Sequence, residues 1–424
     1  MKSGEDGSLQ KMIRLIKEAE GKKAPMQRIA DKWASILVPA SMTIALLTFI
    51  GVWAITGNLQ NGLVRGVTIM VVFCPCALAL ATPTSIMSAI GQATKYGVII
   101  KSGEALERMG KVGVACFDKT GTLTEGKLGV AYSTDNETLA LAASVEAMSE
   151  HPLAKAICSS AQSLPSFMRP ANVTSDDFTM SPGKGVKGVV AGSLIACGTE
   201  QWLNECGAID MPEDIAQNAA RLRSEGRAVV FVAKDSTVRG IVALSDTLRE
   251  GAKAAIEDLS SCGVSACLLT GDHAATARSV ADQLGITEIQ AELLPVDKAK
   301  RIEEIEQGNT RCCMIGDGVN DALALKSAYV GIAMGGEGSD IAVEAADIAL
   351  VGDNLANIGY LKRLAVACVK LIKTNIAISM TINACAITCS VFGLLGPVSG
   401  ALVHNLGSFL VVLNAALLYD RKFK

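Results

Sequence analysis

Asp118-Lys119-Thr120-Gly121-Thr122 closes an apolar run, Val112 to Phe117, and the reading of the whole chain turns on those five residues. An aspartate at the end of a short hydrophobic strand, beside a lysine and small hydroxyl residues, is placed to attack a phosphoryl group. Alone, the pentapeptide would pass equally for a solvated turn. Downstream, in order, stand Thr270-Gly271-Asp272, Lys298 and Gly316-Asp317-Gly-Val-Asn320-Asp321. Together they supply a nucleophile, a phosphate clamp and acidic ligands for a hard divalent ion. In this reading Asp118 takes the terminal phosphoryl of ATP, flanked by Lys119. Thr120 lends its main-chain carbonyl to Mg2+ and its hydroxyl to the phosphate. Thr270 and Lys298 neutralise phosphate oxygens, and Asp118 and Asp317 hold the Mg2+. Gly271-Asp272 orients sugar or phosphate, while Asn320 and Asp321 support the metal loop.

The surrounding texture fits a mixed architecture. Half of the 424 residues are hydrophobic and only 19% are charged, with a net charge of −3. That balance, without basic runs interleaved with aromatics, gives nucleic acid no footing as a partner. Thirteen cysteines lie scattered rather than in a dense regular framework, so they are expected as reduced thiols. The polar opening residues do not form a signal peptide.

Two nearly uncharged stretches, Trp33–Ile55 and Leu63–Ile90, and a second pair, Ile376–Leu395 and Val398–Tyr419, are each long enough to cross a bilayer as a helix. About four transmembrane helices and a lipid partner follow; the competing reading is a set of buried helices in a large soluble core. Lys95, Lys101, Arg108, Lys362, Arg363, Lys370 and Lys373 crowd the middle-facing ends, which places the central block in the cytoplasm. Within that block, Val112–Phe117, Ala266–Leu269, Cys312–Ile315 and Val330–Ala333 read as buried strands, each followed by a turn and a helical pattern. This predicts a doubly wound parallel sheet with its ligands beyond the carboxyl ends of the strands. A segment of α+β texture, about 126–240, is inserted after the first strand. It has helical patterns at Glu137–Ser160 and Pro212–Glu225 and strands at Val186–Ala191 and Ala228–Val232.

Two further constellations carry chemistry. In the insertion, Glu146-Ala-Met-Ser-Glu-His151-Pro152 pairs with Gly183-Lys-Gly185-Val-Lys-Gly188, where glycines let a ring or phosphate approach the backbone. A lone histidine is more often structural, and this G-x-G-x-x-G lacks a dinucleotide-fold setting; jointly they suggest a nucleotide pocket. In the second apolar stretch, Cys74-Pro75-Cys76 sets two soft ligands about a proline kink, as Cu(I) or Zn(II) would require. Asn375, Asn383, His404, Asn405 and Ser408 are polar elements at comparable depth, serving ligation or interhelical hydrogen bonding equally well.

Taken together and in order, CPC, DKTGT, SEHPL at Ser149–Leu153, the Gly183/Gly185 pair, TGD and GDGVNDA resemble the heavy-metal-transporting P-type ATPases over nearly the whole chain. The resemblance implies a cytoplasmic haloacid-dehalogenase-like phosphorylation domain with an inserted nucleotide-binding domain. It also implies an inner-membrane location and an ATP-driven cycle exporting a transition metal (Cu, Zn, Mn or similar). It assigns ATP orientation to His151 and adenine contact to Glu146, and it places Cys74, Cys76, Asn383, His404 and Ser408 about the transported ion. The implied segments are 1–32 (end of an actuator linker), 33–95 (helix pair with CPC), 96–125 and 241–360 (phosphorylation domain), 126–240 (nucleotide domain) and 361–424 (helix pair).

The sequence departs from the pattern in several places. It contains no TGE loop, and its opening resembles the segment that leaves an actuator domain. The chain is therefore expected to begin mid-protein, as a truncated gene, as a fragment, or with another chain supplying the actuator and the earlier helices. Ile382-Asn383 replaces the Tyr-Asn of copper-type members, and His404 stands where they carry methionine. The lysine and aspartate of zinc- and cadmium-type members are absent, and Thr199 replaces a common asparagine. Two other classes use parts of this pattern: a membrane-tethered phosphatase of the same superfamily, and a non-catalytic metal-binding remnant.

Overall fold

The computed structural model describes residues 25–74, 76–165, 178–208, 210–308, 310–317, 319–335 and 340–423. Residues 1–24 of the expected actuator linker, 1–32, lie outside the described residues.

Helices α1 (Pro25–Thr56), α2 (Leu59–Val72) and α3 (Cys76–Lys95) open the chain, followed by β1 (Val98–Ile100) and α4 (Gly103–Met109). Next come β2 (Val114–Phe117) and β3 (Thr124–Ser133), then α5 (Asn136–Glu146) and α6 (Pro152–Ala161). The inserted segment continues through β4 (Thr179–Ser181), β5 (Gly185–Val190), β6 (Ser193–Gly198), α7 (Glu200–Glu205), α8 (Glu213–Ser224), β7 (Ala228–Lys234) and β8 (Thr237–Leu248). After it stand α9 (Ala252–Ser261), β9 (Ser265–Leu269), α10 (Ala274–Leu284), β10 (Glu288–Gln290) and α11 (Pro295–Gln307). The alternation ends with β11 (Cys312–Gly316), α12 (Ala322–Ser327), β12 (Val330–Met334), α13 (Asp340–Ala345) and β13 (Ile348–Leu350), before the long helices α14 (Ala356–Val391) and α15 (Pro397–Ala416).

Two compact units emerge, residues 1–115, 257–265 and 299–424 in the first and 116–256 and 266–298 in the second. In the first, β11, β12 and β13 are parallel, with Ile332 opposite both Ile315 and Ile348, while β1 closes the edge antiparallel. Their residues are buried throughout, which is why they read as continuous apolar runs rather than alternating ones. In the second unit β10 pairs parallel with β9, and in the first the strand order of the sheet is β1-β13-β12-β11. At its base the Gly113 amide donates to Arg311 O (2.8 Å) and the Ser265 amide to Gly113 O (3.0 Å).

The second unit holds a six-stranded sheet, β3-β8-β7-β6-β5-β4, antiparallel throughout. Alternate residues of β7 and β8 serve opposite faces. Val230, Val232, Val242 and Leu244 pack beneath α5 and α6, and Phe231, Ala233, Ile241 and Ala243 beneath α7 and α8. Helices on both faces explain why these strands lack a polar side. The single helical pattern expected over Glu137–Ser160 is corrected to two helices. α5 ends at Glu146, and Pro152 starts α6 afresh, because proline cannot continue a helix but fits its first turn.

Among the described residues, three helices are long and apolar enough to cross a membrane: Ser35–Thr56, Ala356–Val391 and Pro397–Asp420. The first shows Ile36, Met42, Leu46, Leu47 and Ile50 outward, an apolar surface suited to lipid. The second apolar stretch, Leu63–Ile90, expected as one kinked helix, is two: α2 stops at Val72 and α3 begins at Cys76. Cys74 therefore falls between the two helices rather than inside one. Arg65, the only charge in that stretch, donates to Val391 O (2.7 Å) and so caps the carboxyl end of α14.

Candidate functional site

Asp118 follows β2 in extended conformation, and the chain then turns sharply over Lys119–Leu123 with Gly121 at φ +72°. A left-handed residue at the centre of the turn explains the glycine of the motif. Arg249 pins the turn from outside, donating to Gly121 O (2.7 Å) and Thr122 O (3.1 Å). Lys298 Nζ donates to Asp118 Oδ1 at 2.6 Å, and both side chains are buried, 5% and 7% exposed. The Leu-Pro-Val-Asp sequence before Lys298 looks like a surface turn, yet it starts α11: the Asp297 carboxylate accepts from the Leu294 amide, and Lys298 falls in the first turn. Pairing keeps a buried carboxylate charged; removing one partner would strand the other.

Lys119 is buried as well. It ion-pairs with Asp272 and lies 3.9 Å from Asp246 Oδ2. Thr270 is 2% exposed, and its hydroxyl accepts from the Asp272 amide (3.2 Å), which shapes the TGD turn after β9. Asp118, Lys119, Thr270, Asp272 and Lys298 thus share the second unit with Thr120 and Gly271, both exposed. Sequence reading missed Asp246 and Arg249. Asp246 accepts from Thr124 Oγ1 at 2.5 Å, while its buried Oδ1 has no hydrogen-bond partner. The available signal was an acid interrupting the apolar run of β8 just before a basic residue. A cavity of about 930 Å³ opens here, lined by Lys119, Thr120, Asp246, Asp272 and Arg227 among others.

Asp317, Asn320 and Asp321 belong to the first unit and follow β11. Asp317 is half-buried, Asn320 is exposed and Asp321 is 1% exposed. A Cβ at Gly316 would stand 2.7 Å from Asp321 Oδ2, so the motif's first glycine makes room for its last carboxylate.

A second cavity, about 230 Å³, gathers Glu146, His151, Gly183, Gly185, Gly198 and Thr199. His151 is exposed and forms the N-cap of α6, its Nδ1 accepting from the Leu153 amide (3.3 Å). Glu146 is 7% exposed, and burial pushes its carboxyl up to about 7. The two glycines differ in kind. Gly183 has φ +74° with open space around it, whereas a Cβ at Gly185 would lie 2.2 Å from Cys197 O and 2.4 Å from the Trp202 ring. Gly185 faces Gly198 across β5 and β6, an equally obligatory glycine that the sequence reading passed over. Thr199 caps α7, accepting from the Trp202 amide (3.2 Å), a task threonine and asparagine perform alike.

In the apolar helices, Cys74 is half-buried. Asn383 is half-buried on α14, and His404 is buried on α15. Ser408 lies one turn from His404, with its hydroxyl buried and unpartnered. Asn375, fully buried, accepts from Asn414 Nδ2 at 2.7 Å and donates to Val411 O at 3.4 Å. It is tied between helices rather than open to a ligand. Asn414 carried no signal in the sequence.

Residues 112–328 match the haloacid dehalogenase-like hydrolase family. Over 99% of its length the chain is 38% identical to a copper-exporting P-type ATPase of Staphylococcus haemolyticus, covering 52% of that protein. It is 37% identical to a cadmium-transporting ATPase of Staphylococcus aureus, again over 99% of this chain and 59% of the relative. The chain therefore spans little more than half the length of the curated relatives it matches. The crystal structure of a zinc-transporting PIB-type ATPase in an E2.Pi state superposes with a TM-score of 0.82 at 35% identity, covering 99% of this chain and 68% of that one. This chain belongs to the haloacid dehalogenase-like hydrolases and, among them, to the heavy-metal P-type ATPases.

Proposed function

We propose that the chain is the catalytic and membrane core of an ATP-driven transition-metal transporter that works through an aspartyl phosphate at Asp118. The observation that carries the reading is the buried Lys298–Asp118 pair, 2.6 Å apart, beside a cavity roomy enough for a polyphosphate. An Asp118 oxygen attacks the γ-phosphorus, the bond to the β–γ bridging oxygen breaks, and ADP departs with that electron pair. Lys298, fixed by α11, stays within reach of the charge as it passes from carboxylate to phosphoryl, a stabilisation needing little reorganisation. The Glu146–Gly185 cavity takes the adenine end, with Gly185 and Gly198 keeping backbone open where side chains would fill it. The candidate Mg2+ ligands, Asp118, Asp317 and the Thr120 carbonyl, are all oxygen donors and suit a hard ion. Bound there, Mg2+ would neutralise charge on the transferring phosphoryl.

The cargo is a soft or borderline cation, because two cysteines and an imidazole outweigh the hydroxyl and amide donors. The copper, cadmium and zinc named for the relatives fall in that range. Hydrolysis of the phosphoenzyme calls for a TGE loop, which this sequence does not contain.

The test is phosphoenzyme formation from ATP labelled at its γ-phosphate, in detergent with reductant, across Cu(I), Zn(II), Cd(II) and Mn(II). Label that requires one of these ions and is lost in Asp118→Asn and Cys74→Ser is the expected result. Label indifferent to every ion would favour a tethered phosphatase; no label at all would refute the reading.

A further inference from the structure

Two adjacent residues near the start of α14 grip the roots of the strands that lead to Asp118 and to the TGD turn. Lys362 is buried, and its Nζ donates to three main-chain carbonyls: Met109 (3.4 Å), Gly110 (2.9 Å) and Val112 (2.7 Å). Those carbonyls close α4 and enter β2, and three acceptors use all the donors an ammonium has. A helix carboxyl end also attracts positive charge. Arg363 donates to Asp258 Oδ1 (2.7 Å) and Cys262 Sγ (3.4 Å), at the end of α9 where the chain turns toward β9. Gly359 admits this clamp, since a Cβ there would stand 1.8 Å from Asp258 Oδ2.

The middle of the same helix is tied to its neighbour. Asn375, 13 residues or roughly 20 Å beyond Lys362, is hydrogen-bonded to Asn414 and Val411 O of α15. Between Tyr360 and Val391 there is neither proline nor glycine. Without such a kink site, a slide or rotation begun among the apolar helices is carried along the rod rather than absorbed within it.

We propose that Lys362 and Arg363 are positioning residues that couple occupancy of the membrane ion site to phosphorylation of Asp118, an inference that rests on the function proposed above. Neither touches the reacting atoms: Lys362 acts through Val112, six residues before Asp118, and Arg363 through the segment before β9. The ammonium is thus a joint between the ion-binding helices and the catalytic strand.

The experiment uses the full chain and the phosphoenzyme assay with Zn(II) or Cu(I), comparing wild type, Lys362→Met and Lys362→Arg. Two quantities are read: the ion concentration for half-maximal labelling at saturating ATP, and the ATP concentration for half-maximal labelling at saturating ion. Lys362→Met should raise the first about tenfold or more, or make labelling ion-independent, while leaving the second within about twofold; Lys362→Arg should restore most of the coupling. Equal shifts in both quantities, or none in either, would overturn the proposal. If Lys362→Met does not fold, Arg363→Gln is read by the same two curves and the same criterion. A wild type that labels with no ion would sink the functional reading and, with it, the coupling.

Discussion

Glu146→Gln probes the cavity proposed for the nucleotide in a way that can be worked through in advance. Burial raises the Glu146 carboxyl from 4.5 to about 7, so the folded domain holds a proton there that the unfolded chain gives up. Between those values the native state binds more protons than the unfolded one, and stability must fall as pH rises. At about 1.4 kcal/mol per pH unit, the ionised side chain costs the domain roughly 3 kcal/mol at pH 8 and under about 1 kcal/mol at pH 5. Glutamine keeps the shape of the protonated acid and carries no titrating group. Every other ionisable residue is shared between the two proteins, so their difference isolates this one. Hydrogen exchange of the β5 and β6 amides, compared at matched pH, reports the opening free energy locally. The variant should gain about 2.5 kcal/mol over wild type between pH 5 and pH 8, roughly seventyfold in protection. A constant gap, or one that widens toward acid, would refute the argument that burial governs this carboxyl.

Three further outcomes follow from the geometry. Lys298→Met leaves the Asp118 carboxylate without the ammonium now 2.6 Å away; the labelling rate should drop about 10²- to 10³-fold, and a loss below about tenfold would mean that Lys298 does not serve the transition state. Gly185→Ala pushes a methyl into Cys197 O and the Trp202 ring and should weaken ATP binding at least about tenfold by equilibrium titration. Gly183→Ala meets only an unfavourable φ and should cost about 1 kcal/mol in thermal unfolding with little change in ATP binding. Asn414→Leu strips Asn375 of its donor and should destabilise the detergent-solubilised chain by about 1–3 kcal/mol; the double variant with Asn375→Leu should be less than additive, and strict additivity would rule out the pairing.

The motif proposed for phosphorylation stood out because such chemistry demands particular residue types in a short contiguous run, and contiguity survives in one dimension. The strands at Val112–Phe117 and Cys312–Ile315 announced themselves for a related reason: a strand covered on both faces must be apolar throughout. Lys298 was readable only from its place between two motifs, since nothing in Leu-Pro-Val-Asp-Lys distinguishes a helix start beneath a buried carboxylate from an exposed turn. Asp246, Arg249 and Gly198 stayed hidden. Each matters through a partner more than ten residues away, the carboxylate beside Lys119, the guanidinium on the Gly121 turn and the glycine facing Gly185.

What the amino-acid order by itself determined is therefore local: which residues carry charge, thiol or hydroxyl, where the chain must turn, and which stretches shun water. Tertiary structure alone decided which of those groups meet. It ended α2 at Val72 and began α3 at Cys76, leaving Cys74 between two helices. It also buried Lys298 on Asp118, and it turned Lys362, by sequence one more cation flanking an apolar helix, into an ammonium enclosed by three carbonyls. Pairings across tens or hundreds of residues arise from packing, and packing depends on the entire chain at once.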